Sequence, residues 1–186
     1  MAEAVISMKE FISHHRGLAE KDFLQKFPLP FLVVPGDKET VLPRKGGSSP
    51  KPIRAPLQTM KMSIEDLEET LPPSFRKVLL DKAMVFPLET RENAHKLKVG
   101  RAAESDLILE DPEVSLHHAT IYWKETPPSV YYLKDHHSTN GTYYNGVAIP
   151  PEEEIELEDE CTLEFGLNRL FIFYYPQTFY RCVNLS

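Results

Sequence analysis

Cysteine, positive charge and long apolar runs are all scarce in this chain, and each shortage excludes a class of protein. Cys161 and Cys182 are the only cysteines among 186 residues. Two thiols cannot staple a chain of this size, and neither has the C-x-x-C spacing of a metal site or redox centre, so both read as free thiols. Lysine and arginine number 21 against 28 acidic residues, a formal charge of −7. Nucleic-acid binders draw most of their affinity from phosphate neutralisation by a basic face, and this balance opposes it. No stretch approaches the roughly 20 apolar residues of a membrane span. Met1-Ala2-Glu3-Ala4 lacks the basic start and apolar run of a leader peptide, so the expectation is a cytoplasmic protein with no nucleic-acid or membrane partner.

What is present divides the chain into zones. Residues 1–34 read as a short helical N-terminal segment. Its two patterns run Val5 to His14 and Leu18 to Phe27, with Phe23 and Phe27 four apart on one face. Pro28 and Pro30 stop the second helix, because the residue before a proline is kept out of helical geometry. Phe31-Leu32-Val33-Val34 follows as a short strand or an apolar anchor. Residues 35–61 turn to glycine, serine, proline and basic residues, the composition of a linker that buries too little apolar surface to offset its ordering entropy. Over 62–81, Ser63 followed by Glu65 and Asp66 predicts a capped short helix, broken at Pro72-Pro73.

From residue 82 to 176 the period becomes two. Leu97 and Val99 alternate with lysines; Ala119, Ile121 and Trp123 alternate with polar residues or tyrosine; Cys161, Leu163 and Phe165 alternate with Thr162 and Glu164. Leu170 to Tyr175 is apolar on both faces, as a strand covered on each side would be. Asn145-Gly146 between two short runs is a two-residue hairpin turn, since both positions tolerate positive φ. Short strands separated by turn residues predict a mainly β chain, an antiparallel sandwich with a smaller, partly helical N-terminal extension. Residues 177–186 read as a C-terminal tail.

Four pieces stand in order within the β zone: Gly100-Arg101, Ser105 to Leu109, Ser115-Leu116-His117-His118-Ala119, and Ser138-Thr139-Asn140-Gly141-Thr142. Each is weak singly. Together, their order and spacing resemble the forkhead-associated (FHA) domain, a β-sandwich whose motifs run Gly-Arg, Ser-x-x-His and Asn-Gly. That family binds phosphothreonine peptides without catalysis. The resemblance implies a phosphothreonine site of Arg101, Ser115, Thr139 and Asn140, with Gly100, His118 and Gly141 supporting the binding loops.

The residue chemistry suits that work. A phosphomonoester carries nearly two negative charges and three strong acceptors. A guanidinium grips it with a fork, and hydroxyls or backbone N–H groups from loops complete the grip. The plain alternative for Arg101 is a surface ion pair with Asp106 or Asp111; for Ser115, Thr139 and Asn140 it is turn chemistry. The doublets His117-His118 and His136-His137 invite a metal reading, but neighbours on a strand point to opposite faces and chelate poorly, so no metal or cofactor is expected. No Gly-x-Ser-x-Gly accompanies Ser115 and His118, so the expectation is no enzyme.

Two residues depart from the family pattern. Leu116 stands where the family often has a phosphate-reaching polar or basic residue. Glu113 stands where a basic residue can read an acidic side chain in the peptide. The implied function is therefore a phosphothreonine-peptide adaptor in Ser/Thr-kinase signalling, its partner a phosphoprotein such as a kinase or kinase substrate. A phosphorylation-independent interaction scaffold on the same fold stays open beside it. Thr40 and Thr59, near basic residues, add the expectation that a phosphorylated linker folds back into the site.

Overall fold

The computed structural model describes residues 6–35, 83–88, 95–124, 129–167 and 169–185. The expected linker over 35–61 beyond its first residue, the helix over 62–81, and Thr40 and Thr59 lie outside the described residues.

The N-terminal zone supplies β1 (Ile6–Ser7), α1 (Met8–His15), α2 (Glu20–Lys26) and β2 (Phe31–Val34). Ser7 caps α1 by accepting the Glu10 N–H at 3.2 Å, and α2 gives way to the prolines at Phe27. Next come β3 (Met84–Pro87), β4 (Lys96–Gly100), β5 (Leu107–Ile108), β6 (Ala119–Lys124) and β7 (Val130–Asp135). The chain then forms β8 (Thr142–Tyr144), β9 (Val147–Ala148), β10 (Ile155–Glu156), β11 (Thr162–Phe165), β12 (Arg169–Tyr174) and α3 (Pro176–Leu185).

These strands make two sheets, one of seven in the order β1-β3-β2-β12-β11-β8-β9 and one of five in the order β10-β7-β6-β4-β5. All pairings are antiparallel except β4 with β5. The alternating residues meet between the sheets: Leu97, Val99, Ile121 and Leu133 from one face Leu32, Leu163, Phe165, Phe171 and Phe173 from the other. Asn145 and Gly146 turn the β8–β9 hairpin with φ of 48° and 75°.

A second core covers the outer side of the seven-stranded sheet. Phe31, Val33, Val85, Ile172 and Tyr174 point outward from the sheet into Met8 and Phe11 of α1, Phe23 of α2, and Phe179 and Val183 of α3. Phe31 stacks on Phe179 with ring centroids 4.0 Å apart. The unbroken apolar runs of β2 and β12 have this cause, since each is buried on both faces.

The expected organisation differs here. Residues 31–34 form the short strand that is one of their two sequence readings, but as part of the sandwich rather than of the helical segment: β2 is hydrogen-bonded between β12 and β3. Residues 176–185 are a helix rather than a tail, with Phe179 and Val183 four apart facing the second core. The N-terminal zone is built into the sandwich.

Candidate functional site

The site lies where loops leave the five-stranded sheet. Gly100 ends β4, and a Cβ there would stand 2.1 Å from the Leu116 carbonyl oxygen, so no other residue fits without separating two backbones. That close approach lets the next residues bond across: the Arg101 N–H donates to Ser115 O at 3.0 Å and Ala102 N–H to Leu116 O at 3.1 Å. The Arg101 side chain is exposed, and its Nε donates to Val114 O at 3.2 Å. Asp106 accepts the Lys98 N–H and Asp111 pairs with Arg169, so neither of the carboxylates weighed as its mate is given to Arg101. Among the described residues Arg101 forms no ion pair, which leaves its terminal nitrogens suited to an anion.

Ser115 and Thr139 meet from different loops. The Thr139 N–H donates to Ser115 Oγ at 3.0 Å, while the Ser115 hydroxyl reaches Thr139 Oγ1 only at 3.4 Å. That long contact is readily exchanged for a phosphate oxygen, whose charge makes it the stronger acceptor.

His118 holds these loops together from beneath. The Ser115 N–H is an obligate donor and lies 3.1 Å from His118 Nδ1, so Nδ1 accepts. The proton of the neutral ring then sits on Nε2 and is donated to Gly141 O at 3.1 Å. The ring is completely buried and meets Phe165 edge-on. Its pKa is lowered from 6.5, because desolvation outweighs the Gly141 carbonyl and the Asp135 charge, which both act to raise it. His117 points the other way, exposed beside Glu104 at 3.6 Å. The doublet, in the loop just before β6, thus puts one ring in the core and the other in solvent.

Asp135 belongs to the site's framework and was missed in the sequence. It ends β7, is 1% exposed, and accepts the Ser138 N–H at 3.0 Å, the Ser138 hydroxyl, and the buried Thr142 hydroxyl at 2.6 Å. Those bonds fix both ends of the segment that carries Thr139, Asn140 and Gly141. The signal was an Asp closing a strand three residues before Ser138, a turn-forming arrangement. Gly141, at φ 81°, turns the chain so that its carbonyl receives both His118 Nε2–H and the Gly166 N–H. On the far side, His136 lies between Thr120 Oγ1 at 2.8 Å and Glu152 Oε1 at 3.0 Å, and Lys134 also reaches Glu152.

Asn140 has a different neighbour from the expected ligand backbone. Its Nδ2 donates to the Glu113 carbonyl at 2.9 Å and to the Glu113 carboxylate at 2.8 Å. Glu113 is itself placed by Asp111, whose carboxylate accepts the Glu113 N–H at 2.9 Å and pairs with Arg169 at 2.8 Å. Leu116 is 52% exposed beside Ser115, and Leu167 is 50% exposed just past Gly166. The loops therefore bring Arg101, Ser115 and Thr139 to one end of the sandwich, with Asn140 next to Thr139 but occupied by Glu113.

Residues 97–166 match the model of the family described as "FHA domain". Human kanadaptin is 33% identical over 87 residues, which cover 42% of this chain and 12% of kanadaptin. The chain thus matches about an eighth of that relative's length. A solved structure from a study of phosphothreonine-dependent FHA domain interactions is 26% identical, covering 49% of this chain and 83% of that one at a TM-score of 0.41. The N-terminal FHA domain of S. cerevisiae Rad53p, solved with a phosphothreonine peptide, is 20% identical, covering 53% of this chain and 89% of that one at a TM-score of 0.43. Residues 97–166, within the C-terminal half of this chain, are thus identified as an FHA domain by the family model they match.

Proposed function

We propose that this protein is a non-catalytic adaptor that binds a phosphothreonine peptide, with Arg101, Ser115, Thr139 and Asn140 as the contact residues. One observation carries the reading: Thr139 N–H and Ser115 Oγ meet at 3.0 Å across two loops that the neutral His118 ring clips together. They form a small array of hydroxyls at the loop end that Arg101 shares, bonded across to Ser115. A dianionic phosphate matches such an array, and one charge-assisted hydrogen bond is worth roughly twice a neutral one. Gly100, His118 and Gly141 serve as supports. The partner would be a phosphoprotein, a Ser/Thr kinase or its substrate, met in the cytoplasm; the acidic balance of the chain disfavours nucleic acid.

A second reading, phosphorylation-independent binding through the same loops, is favoured by two observations. The Glu113 carboxylate adds negative charge beside Asn140, and Leu116 offers an apolar contact next to Ser115. Calorimetric titration with an oriented phosphothreonine library separates the two, using phosphoserine and unphosphorylated controls. The phosphothreonine reading expects affinity that depends on the phosphate and collapses in Arg101→Ala. Equal binding by the unphosphorylated peptides would establish the scaffold instead.

A further inference from the structure

Asn140 has two N–H hydrogens, and Glu113 takes both. One bond goes to the Glu113 carbonyl at 2.9 Å, the other to its carboxylate at 2.8 Å. A carboxylate acceptor makes the second bond charge-assisted and so stronger than one to a neutral peptide carbonyl. A ligand backbone carbonyl that seeks the Asn140 amide must therefore displace an anion, and by itself it is the weaker acceptor. The exchange becomes favourable when the ligand gives the released carboxylate a cation. An acidic ligand side chain would do the opposite, bringing a second negative charge against Glu113.

The Glu113 backbone is not free to retreat. Its N–H is held by Asp111 at 2.9 Å, and Asp111 is anchored to Arg169 in a pair whose side chains are only 9% and 12% exposed. Gly166 lies against the same peptide unit, where an added Cβ would come within 2.6 Å of Glu113 O. The carboxylate can swing on its side-chain torsions while the main chain stays, which is the behaviour of a gate on a fixed post.

We propose that Glu113 selects the ligand: it closes the Asn140 amide in the free protein and opens it for phosphothreonine peptides carrying a Lys or Arg on the flank that lies over Asn140. This rests on the phosphothreonine reading and names the ligand class for that site.

The test uses the full chain and a phosphothreonine peptide with alanine flanks, in which each of the three positions on either side is replaced in turn by Lys and by Glu. Affinities are measured for wild type, Glu113→Gln and Glu113→Ala. In wild type, Lys at one or two positions on a single flank is expected to bind about fivefold tighter than Glu there, the size of a partly exposed ion pair. Glu113→Gln, isosteric and uncharged, should remove most of that ratio. Glu113→Ala should tighten binding of the all-alanine peptide, because the amide loses its carboxylate acceptor and keeps only the main-chain carbonyl of residue 113. A Lys-to-Glu ratio near one at all positions, or a ratio that survives in Glu113→Gln, overturns the proposal while leaving the phosphothreonine site standing. Failure of every phosphopeptide to bind overturns both.

Discussion

His118 Nδ1 accepts the Ser115 N–H at 3.1 Å, so the residue proposed to touch phosphate is positioned by a ring that must be neutral on that side. A proton on Nδ1 would set donor against donor and detach Ser115 from the histidine, while the other ring nitrogen still holds Gly141. The two loops of the site are thereby tied to one titratable group.

The pH dependence follows with a definite sign. Desolvation lowers the His118 pKa below its ordinary 6.5, so the unfolded chain binds the proton more readily than the folded one. Stability from this group is present in full above about pH 6.5 and is lost as pH falls from there towards and through the lower folded value. NMR titration of the histidine ring carbons should place the His118 midpoint below 6.5. A midpoint at or above 6.5 would refute the buried neutral assignment.

Gly100→Ala tests the backbone approach. Its Cβ would meet Leu116 O at 2.1 Å, and the obstacle is backbone rather than a movable side chain. Relief requires parting residues 100–102 from 115–118, which breaks the Arg101–Ser115 and Ala102–Leu116 bonds. The expected cost is about 3 kcal/mol, from overpacking and the lost hydrogen bonds together. Denaturant unfolding measures it, and a loss under about 0.5 kcal/mol, the range of ordinary surface substitutions, would contradict the geometry.

Phe31→Ala tests whether the N-terminal zone is integral. Phe31 is completely buried, with its ring centroid 4.0 Å from Phe179, 5.5 Å from Phe27 and 5.7 Å from Phe11. Truncation of such a side chain costs about 3–5 kcal/mol. Because β2 lies between β12 and β3, the damage should spread into the sandwich, and a fragment starting at residue 83 should fail to fold cooperatively. A single unfolding transition near the wild-type midpoint for that fragment would show the opposite.

The strands that were legible in the sequence are those with one dry face. Leu97 and Val99, or Leu163 and Phe165, alternate because only one side of each strand meets the core. The hairpin at Asn145-Gly146 was legible because positive φ at both positions restricts the residues that fit. β2 was harder to place: its residues Phe31, Leu32 and Val33 pair with β12, some 140 positions later, and no local pattern encodes a partner so distant. The amphipathic signal of α3 was present in Phe179 and Val183, but a second core to receive it was not foreseen. Within the site, the ordered motifs marked Arg101, Ser115, Thr139 and Asn140. Asp135 escaped because its role is to satisfy its own chain, and Glu113 was legible as a charge but not as the partner of Asn140.

Asp135 can be tested by two substitutions with different outcomes. In Asp135→Ala, the Ser138 N–H and the buried Thr142 hydroxyl both lose their acceptor, at about 1–3 kcal/mol for each buried group left unsatisfied. The segment bearing Thr139 and Asn140 should loosen, and peptide affinity should fall with stability. Asp135→Asn keeps an oxygen for the Ser138 N–H, while its amide can donate to the two hydroxyls, which rotate to accept. That variant should lose much less stability and still bind. It also removes a negative charge that raises the His118 pKa, so the ring should titrate lower than in wild type. Unfolding curves, calorimetry and the His118 ring titration read the three effects separately. If Asp135→Asn raised the His118 midpoint, the link from Asp135 to His118 would have the wrong sign.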